Sequence, residues 1–208
     1  MNRRHFLKAG VIAGLGFTDA SANRSYHPTP AEVKGPFYPL AGQKDKDFDL
    51  TRIGDTNKTA SGQHITVIGC VLNANGEPVE EAMVDIWQAN AAGKYAHSFD
   101  SNPAPVDSNF QGWAIVSSGK RGEFKFKTVY PGAYPASHNW TRPPHIHFKI
   151  FKQGYKELIT QMYFPNHPLN DIDRLLQAKT LEQQQLMIAE KSIGLPHTYH
   201  YQVVIQKA

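Results

Sequence analysis

From residue 63 onward, glycine, proline and asparagine cut the sequence into short β-prone runs, and this punctuation limits the fold more than any other feature. The runs are His64 to Leu72, Pro78 to Trp87, Gly112 to Ser117, Glu123 to Val129, His145 to Phe151, Leu158 to Phe164 and Tyr199 to Gln206. Asn73-Ala74-Asn75-Gly76 joins the first two, and Asn-Gly is a strong turn signal. Between Glu123 and Val129, Phe124, Phe126 and Thr128 alternate with Glu123, Lys125 and Lys127, the pattern of a half-exposed strand. Ala82, Val84 and Ile86 share one face in the same way. Seven or eight such strands predict a mainly β chain: an antiparallel β-sandwich, immunoglobulin- or transthyretin-like. One short helical segment is expected near 171–190, with leucines at 175, 176, 181 and 186.

The 63–208 domain is preceded by two different stretches. Residues 23–62 are rich in Pro, Gly, Asp and Lys and read as an extended arm. Within them, Gly35-Pro36-Phe37-Tyr38-Pro39 is rigid and aromatic, so it is expected to pack against something. Residues 1–22 read as an export signal. Arg3-Arg4-His5-Phe6-Leu7-Lys8 precedes an apolar run from Ala9 to Phe17 and the small-residue site Ala20-Ser21-Ala22. The paired arginines resemble a twin-arginine signal. The apolar run is shorter than the roughly 20 residues needed to span a bilayer. The expectation is a protein in the periplasm or outside the cell, with no membrane attachment after cleavage.

Charge excludes one class of partner. The net charge is +4, and half of it belongs to Arg3, Arg4 and Lys8 set against Asp19. The remaining basic residues are scattered, so the chain has no footprint for nucleic acid. The one cysteine, Cys70, rules out an intrachain disulfide and is expected to be a buried, inert thiol.

Arg142-Pro143-Pro144-His145-Ile146-His147 is the sharpest local feature. In a strand, residues i and i+2 face the same side about 6.5 Å apart, so two imidazoles can share one metal ion. Pro143 and Pro144 stiffen the approach. The same pair could also be two hydrogen-bonded histidines. There is no His-Glu-x-x-His helix for a zinc hydrolase, and the cysteine lies in an apolar strand. What the chain offers instead are tyrosines framed by glycine and proline, in Gly93-Lys94-Tyr95 and Pro131-Gly132-Ala133-Tyr134-Pro135. Phenolate is a hard anionic donor that favours a trivalent cation. A tyrosine beside Gly or Pro is ordinarily a packing or turn residue, so residue types alone leave the remaining ligands open.

Several of these segments together resemble the intradiol ring-cleavage dioxygenases. They are Gly35 to Pro39, Pro78-Val79, Ala82 to Tyr95, Gly122 to Thr128, Pro131 to Pro135, Arg142 to Phe148 and Thr160 to Phe164, in the family's order from about Gly35 to Ile205. The resemblance implies Tyr95, Tyr134, His145 and His147 as ligands of Fe(3+). It also implies Arg142 and Gln161 as the cationic and amide groups of the active site. The implied reaction cleaves a catechol-type ring between its hydroxylated carbons with O2, giving a muconate-type diacid. In it Tyr134 accepts a substrate proton, Arg142 stabilises developing negative charge, and no NADH, flavin or ferredoxin takes part. The implied partners are the catechol, O2 and, as in relatives, further chains in a homo-oligomer. Ala136 stands where the family often has Trp, which puts the identity of the substrate in question. The competing reading is a β-sandwich binding module whose metal site is structural or inactive.

Overall fold

The computed structural model describes residues 26–208 apart from 41, 42, 44 and 55. The expected signal at 1–22 lies outside the described residues, as does the first part of the arm. Among the described residues ten strands form: β1 His64–Asn73, β2 Met83–Trp87, β3 Trp113–Ser117, β4 Glu123–Val129, β5 Tyr134–Ser137, β6 Trp140–Arg142, β7 His145–Phe151, β8 Leu158–Tyr163, β9 Glu190–Lys191 and β10 Thr198–Ile205. One sheet has the order β4-β1-β10-β9 and a second β3-β2-β7-β8, while β5 and β6 make a separate hairpin.

The two large sheets share one apolar core. Phe148 of β7 meets Phe124 and Phe126 of β4 and Tyr201 of β10, with ring centroids 5.2–6.1 Å apart. Ile65, Val67 and Val71 of β1 and Val84 and Ile86 of β2 complete it, all buried. Burial of this apolar area is the main term holding the sandwich together. β4 alternates as its sequence predicts, with Phe124 and Phe126 inward and Lys125 and Lys127 outward.

The structure departs from the sequence reading in three places. β1 and β10 pair in parallel, Val67 opposite Tyr199, so the sandwich is not wholly antiparallel. A last strand arriving through a long connection is free of the hairpin constraint that forces antiparallel pairing. The helical stretch is divided: a 3-10 helix at Pro168–Ile172, turns, and then α1 at Leu181–Met187. α1 starts afresh at Thr180, whose hydroxyl and Gln183 form a capping box. Cys70 is half-buried rather than buried; it lies on the outward-alternating face of β1 and donates its S–H to the Arg121 carbonyl. Burial pushes its pKa up, so it stays a thiol.

The outer face of the second sheet positions the site. Register places Trp113, Trp87, His147 and Gln161 in one row across the four strands. Ile115, Asp85, Lys149 and Ile159 form the next row, and His145 stands opposite Tyr163. In a bare sandwich this face would meet water. Here the arm lies across it. Glu32 N–H donates to Ile159 O, Thr160 Oγ1 donates to Pro30 O, and Gln161 Nε2 donates to Val33 O. Tyr38 packs edge-on against Trp87 and gives its hydroxyl proton to the buried Asp85 at 2.6 Å.

Candidate metal centre

His145 and His147 stand two residues apart on the outer face of β7. Pro143 and Pro144 link them to β6 and have no N–H to donate. The Pro143 carbonyl accepts the Nδ1 proton of His145 at 2.7 Å. A carbonyl can only accept, so this bond sets the tautomer and leaves the lone pair on Nε2. His147 is held differently: its ring stacks on Trp87, centroids 4.8 Å apart and planes 10° from parallel.

The tyrosines arrive on two turns that touch through glycine. Gly93 has φ +78°, and a Cβ there would strike the Ala133 carbonyl; a Cβ at Gly132 would strike Gly93 N and Ala91 O. Only glycine allows the two backbones this close. Asn90 binds the turns together, its carbonyl accepting from Gly93 N–H and Gly132 N–H and its side-chain oxygen from Ala92 N–H and Lys94 N–H. Beyond the turns, Tyr95 N–H donates to Asp100 Oδ2 at 2.7 Å, and Tyr134 pairs with Arg142 across the β5–β6 hairpin.

All four rings are buried and close on one another. Centroid distances are 5.5 Å for Tyr95–Tyr134, 5.6 Å for Tyr134–His145, 4.9 Å for His145–His147 and 6.3 Å for His147–Tyr95. Tyr134 Oη lies 3.5 Å from His145 Nε2. Tyr95 Oη and His147 Nδ1 are enclosed without a hydrogen-bond partner, an arrangement that costs about 1–3 kcal/mol per group. Tyr134 lies close enough to Tyr95 to influence its charge, but the two hydroxyls make no hydrogen bond of good geometry.

Burial sets the charge state. It pushes the Tyr95 phenol well above its ordinary range, with Tyr134 adding to the effect, and raises Tyr134 against the opposing pull of Arg142. Burial, and then the Arg142 charge, push His145 well down and His147 to about 3. The bare set is therefore two neutral phenols and two neutral imidazoles. The imidazole lone pairs are free of protons, and the phenols give up theirs only to strong positive charge. Among the described residues no group of three or more His, Cys, Asp or Glu side chains could hold a metal ion. A donor set of two phenol oxygens and two imidazole nitrogens, without thiolate, suits a hard trivalent ion such as ferric iron better than zinc.

Arg142 is 4% exposed and adjoins this cluster, where its charge acts on all four rings. Its Nε donates to Asp173 Oδ2 at 2.7 Å, and its Nη2 donates to Gln161 Oε1 at 2.7 Å and to Tyr163 Oη at 2.8 Å. It is a buried, hydrogen-bonded charge, not a surface ion pair. Gln161 divides its amide between Arg142 and the arm. The structure thus brings together all six residues singled out from the sequence.

Three other contributors were not read from the sequence, Trp87 under His147 and Asp173 and Tyr163 around Arg142, while Gly35, in the stretch expected to pack, lies beside the His147 ring. Phe37, expected only to pack somewhere, lies tilted against Tyr95 at 4.8 Å and reaches Tyr134 at 6.3 Å. Asp173 carried no local signal, since it falls in the stretch read as helix.

Comparison with known proteins places this arrangement. Residues 33–206 match the family model described as Dioxygenase. The protocatechuate 3,4-dioxygenase beta chain of Burkholderia cepacia is 37% identical over 179 residues, which cover 83% of this chain and 76% of that one. An intradiol ring-cleavage dioxygenase of Aspergillus niger is 27% identical over 192 residues, covering 85% of this chain and 55% of its own length. Among solved structures, the dioxygenase domain of a dioxygenase–carbohydrate-binding protein fusion from Streptomyces sp. SirexAA-E superposes with TM-score 0.65 at 26% identity, over 87% of this chain and 99% of that domain.

Proposed function

Because the chain belongs to the intradiol ring-cleavage dioxygenases, we propose that it cleaves a catechol-type ring between its two hydroxylated carbons with O2 to give a muconate-type diacid. In this reading Tyr95, Tyr134, His145 and His147 hold ferric iron. The observation that carries it is the closure of two phenols and two imidazoles into one buried cluster with Tyr95 Oη unpartnered.

Ferric iron, when bound, supplies a Lewis acid and a template for the two substrate oxygens. The chain's own residues do the rest. Burial keeps both imidazoles unprotonated, so protons do not compete for their lone pairs. Tyr134, whose phenol would lose its proton to the ferric charge, would then be the base that takes a substrate proton, at the Oη next to His145 Nε2. Arg142 offers a fixed positive charge to the negative charge that develops on the ring, in a site closed to water. Gly35 and Phe37 of the arm help to exclude that water.

Ala136 is exposed on the hairpin, at the position where the resemblance places a tryptophan that walls the substrate pocket in relatives, so the substrate here need not be theirs. Which catechol fits is decided by the substrate screen below. Arg3-Arg4 and Ala20-Ser21-Ala22 support export by the twin-arginine route, to the periplasm or outside the cell. The relative named as a beta chain supports reading this chain as a subunit of an assembly; a homo-oligomer is the form that the sequence resemblance suggests for it.

The test is reconstitution with iron under air. The expected result is about one iron per chain and a reddish tyrosinate-to-iron absorption, lost in Tyr95→Phe. Oxygen uptake is then measured with catechol, protocatechuate, hydroxyquinol and halogenated catechols. A colourless protein that binds no iron and consumes no oxygen with any of them would overturn the reading in favour of a binding module.

A further inference from the structure

We propose that Asp173 is a positioning residue for this reaction, holding the Arg142 guanidinium in one orientation beside the ring cluster. The inference rests on the reading of Arg142 as the charge-stabilising group.

Arginine is long and flexible, and a buried guanidinium without a partner is costly. Here its Nε and Nη2 are both tied. Asp173 takes Nε at 2.7 Å, and Gln161 and Tyr163 share Nη2. Tyr163 Oη joins the three partners. It accepts from Arg142 and lies within hydrogen-bond reach of both Gln161 Oε1, at 3.0 Å, and Asp173 Oδ1, at 3.3 Å. The Trp140 ring stacks under the guanidinium at 5.3 Å, and its Nε1 donates to Asp173 Oδ2 at 3.3 Å.

The carboxylate is itself anchored from outside the sheet. Leu176 N–H donates to Asp173 Oδ1 at 2.9 Å, in the turn that follows the 3-10 helix. Asp173 is fully enclosed and accepts from three donors, Arg142, Trp140 and Leu176, with Tyr163 Oη also within reach. It therefore offers Arg142 a rigid acceptor rather than a mobile counter-ion. A buried ion pair is often no more stabilising than apolar residues of the same volume, so stability alone gives little reason for it. It also weakens the pull of Arg142 on an arriving anion. What it supplies is orientation, which matters for charge that appears only in the transition state, because a fixed dipole needs no reorganisation. The signature is a loss in kcat that passes through Arg142, with KM nearly unchanged.

The experiment is a double-mutant cycle on iron-loaded protein at equal iron content, with Arg142→Met, Asp173→Asn and the pair. Asp173→Asn is expected to lower kcat about thirtyfold or more, and adding it to Arg142→Met to change kcat by less than about twofold. A second readout needs neither iron nor turnover. In the metal-free protein, phenylglyoxal should modify Arg142 at least about tenfold faster in Asp173→Asn than in the parent, by peptide mass spectrometry. If Asp173→Asn does not fold, Tyr163→Phe decides by the same cycle and labelling. Its expected loss is about three- to tenfold in kcat, absent when Arg142 is already Met. Additive losses, unchanged labelling, or turnover of the variant within about twofold of the parent overturn the positioning role and leave Arg142 in place. Full activity of Arg142→Met overturns both readings, since Asp173 then has nothing catalytic to position.

Discussion

Two imidazoles enclosed beside an arginine have a cost that pH exposes. In the metal-free protein, burial and Arg142 depress the folded-state pKa of His145 and His147, the latter to about 3. The unfolded chain has ordinary histidines near about 6.5. Below that value the unfolded state binds protons that the folded state refuses, so stability falls as pH drops from about 6.5 and, for His147, keeps falling until about 3. The slope approaches about 1.4 kcal/mol per pH unit for each histidine. Urea unfolding of the metal-free protein from about pH 7 to about pH 5 checks this, with His147→Gln expected to flatten the curve. A parent whose stability is constant across that range contradicts enclosed neutral imidazoles. The pairing of two histidines on one strand face was legible in the sequence, because i and i+2 spacing is a property of the strand itself. Their burial was not, because it depends on an arm more than a hundred residues away.

The glycines two residues before each tyrosine show how elements meet. Gly93-Lys94-Tyr95 and Gly132-Ala133-Tyr134 stand out in the sequence, yet the reason is mutual: each turn needs the other's glycine to come close. Gly93→Ala puts a side chain at φ +78° and a methyl group against the Ala133 carbonyl. The expected cost is about 1–3 kcal/mol of stability, and the two phenols move apart. Urea midpoint and iron retained after dialysis measure the two effects, and a variant equal to the parent in both would show that the turns can slide without penalty. The segment after β8 teaches the converse. Its leucine spacing predicts one helix near 171–190, but the Asp173 carboxylate is drawn to Arg142 and Thr180 starts a new helix, so the chain turns between them. Helical propensity is a weak term, and a buried ion pair with a fresh cap overrides it.

For the molecule as a whole, the arm does work that a sandwich of two sheets cannot. Residues 29–33 bond to β10 and along the edge of β8, and Gly35, Phe37 and Tyr38 then lie over the outer face of the second sheet, against His147, Tyr95 and Trp87. The proposed site is therefore complete only once the arm has folded onto strands that lie far from it in the sequence. A protein so built suits a route that carries folded cargo, in line with the proposed twin-arginine export. Replacing Arg3 and Arg4 together by lysine is expected to leave precursor in the cytoplasm, seen by fractionation and blotting. Unchanged appearance of the mature protein in the periplasm would point to another route.

Periodicity and spacing could be read without the fold, because they arise from backbone geometry within one element. The β4 alternation, the shared face of His145 and His147, and the glycines preceding Tyr95 and Tyr134 are of this kind. Only tertiary structure decided that the two histidines on the outer face of β7 are buried like the apolar residues of its inner face, that β10 runs parallel to β1, and that Asp173 meets Arg142 across 31 residues of sequence. Each of these depends on which distant surfaces come together. Contact between segments far apart in the chain follows from packing the whole core, and no local pattern carries that information.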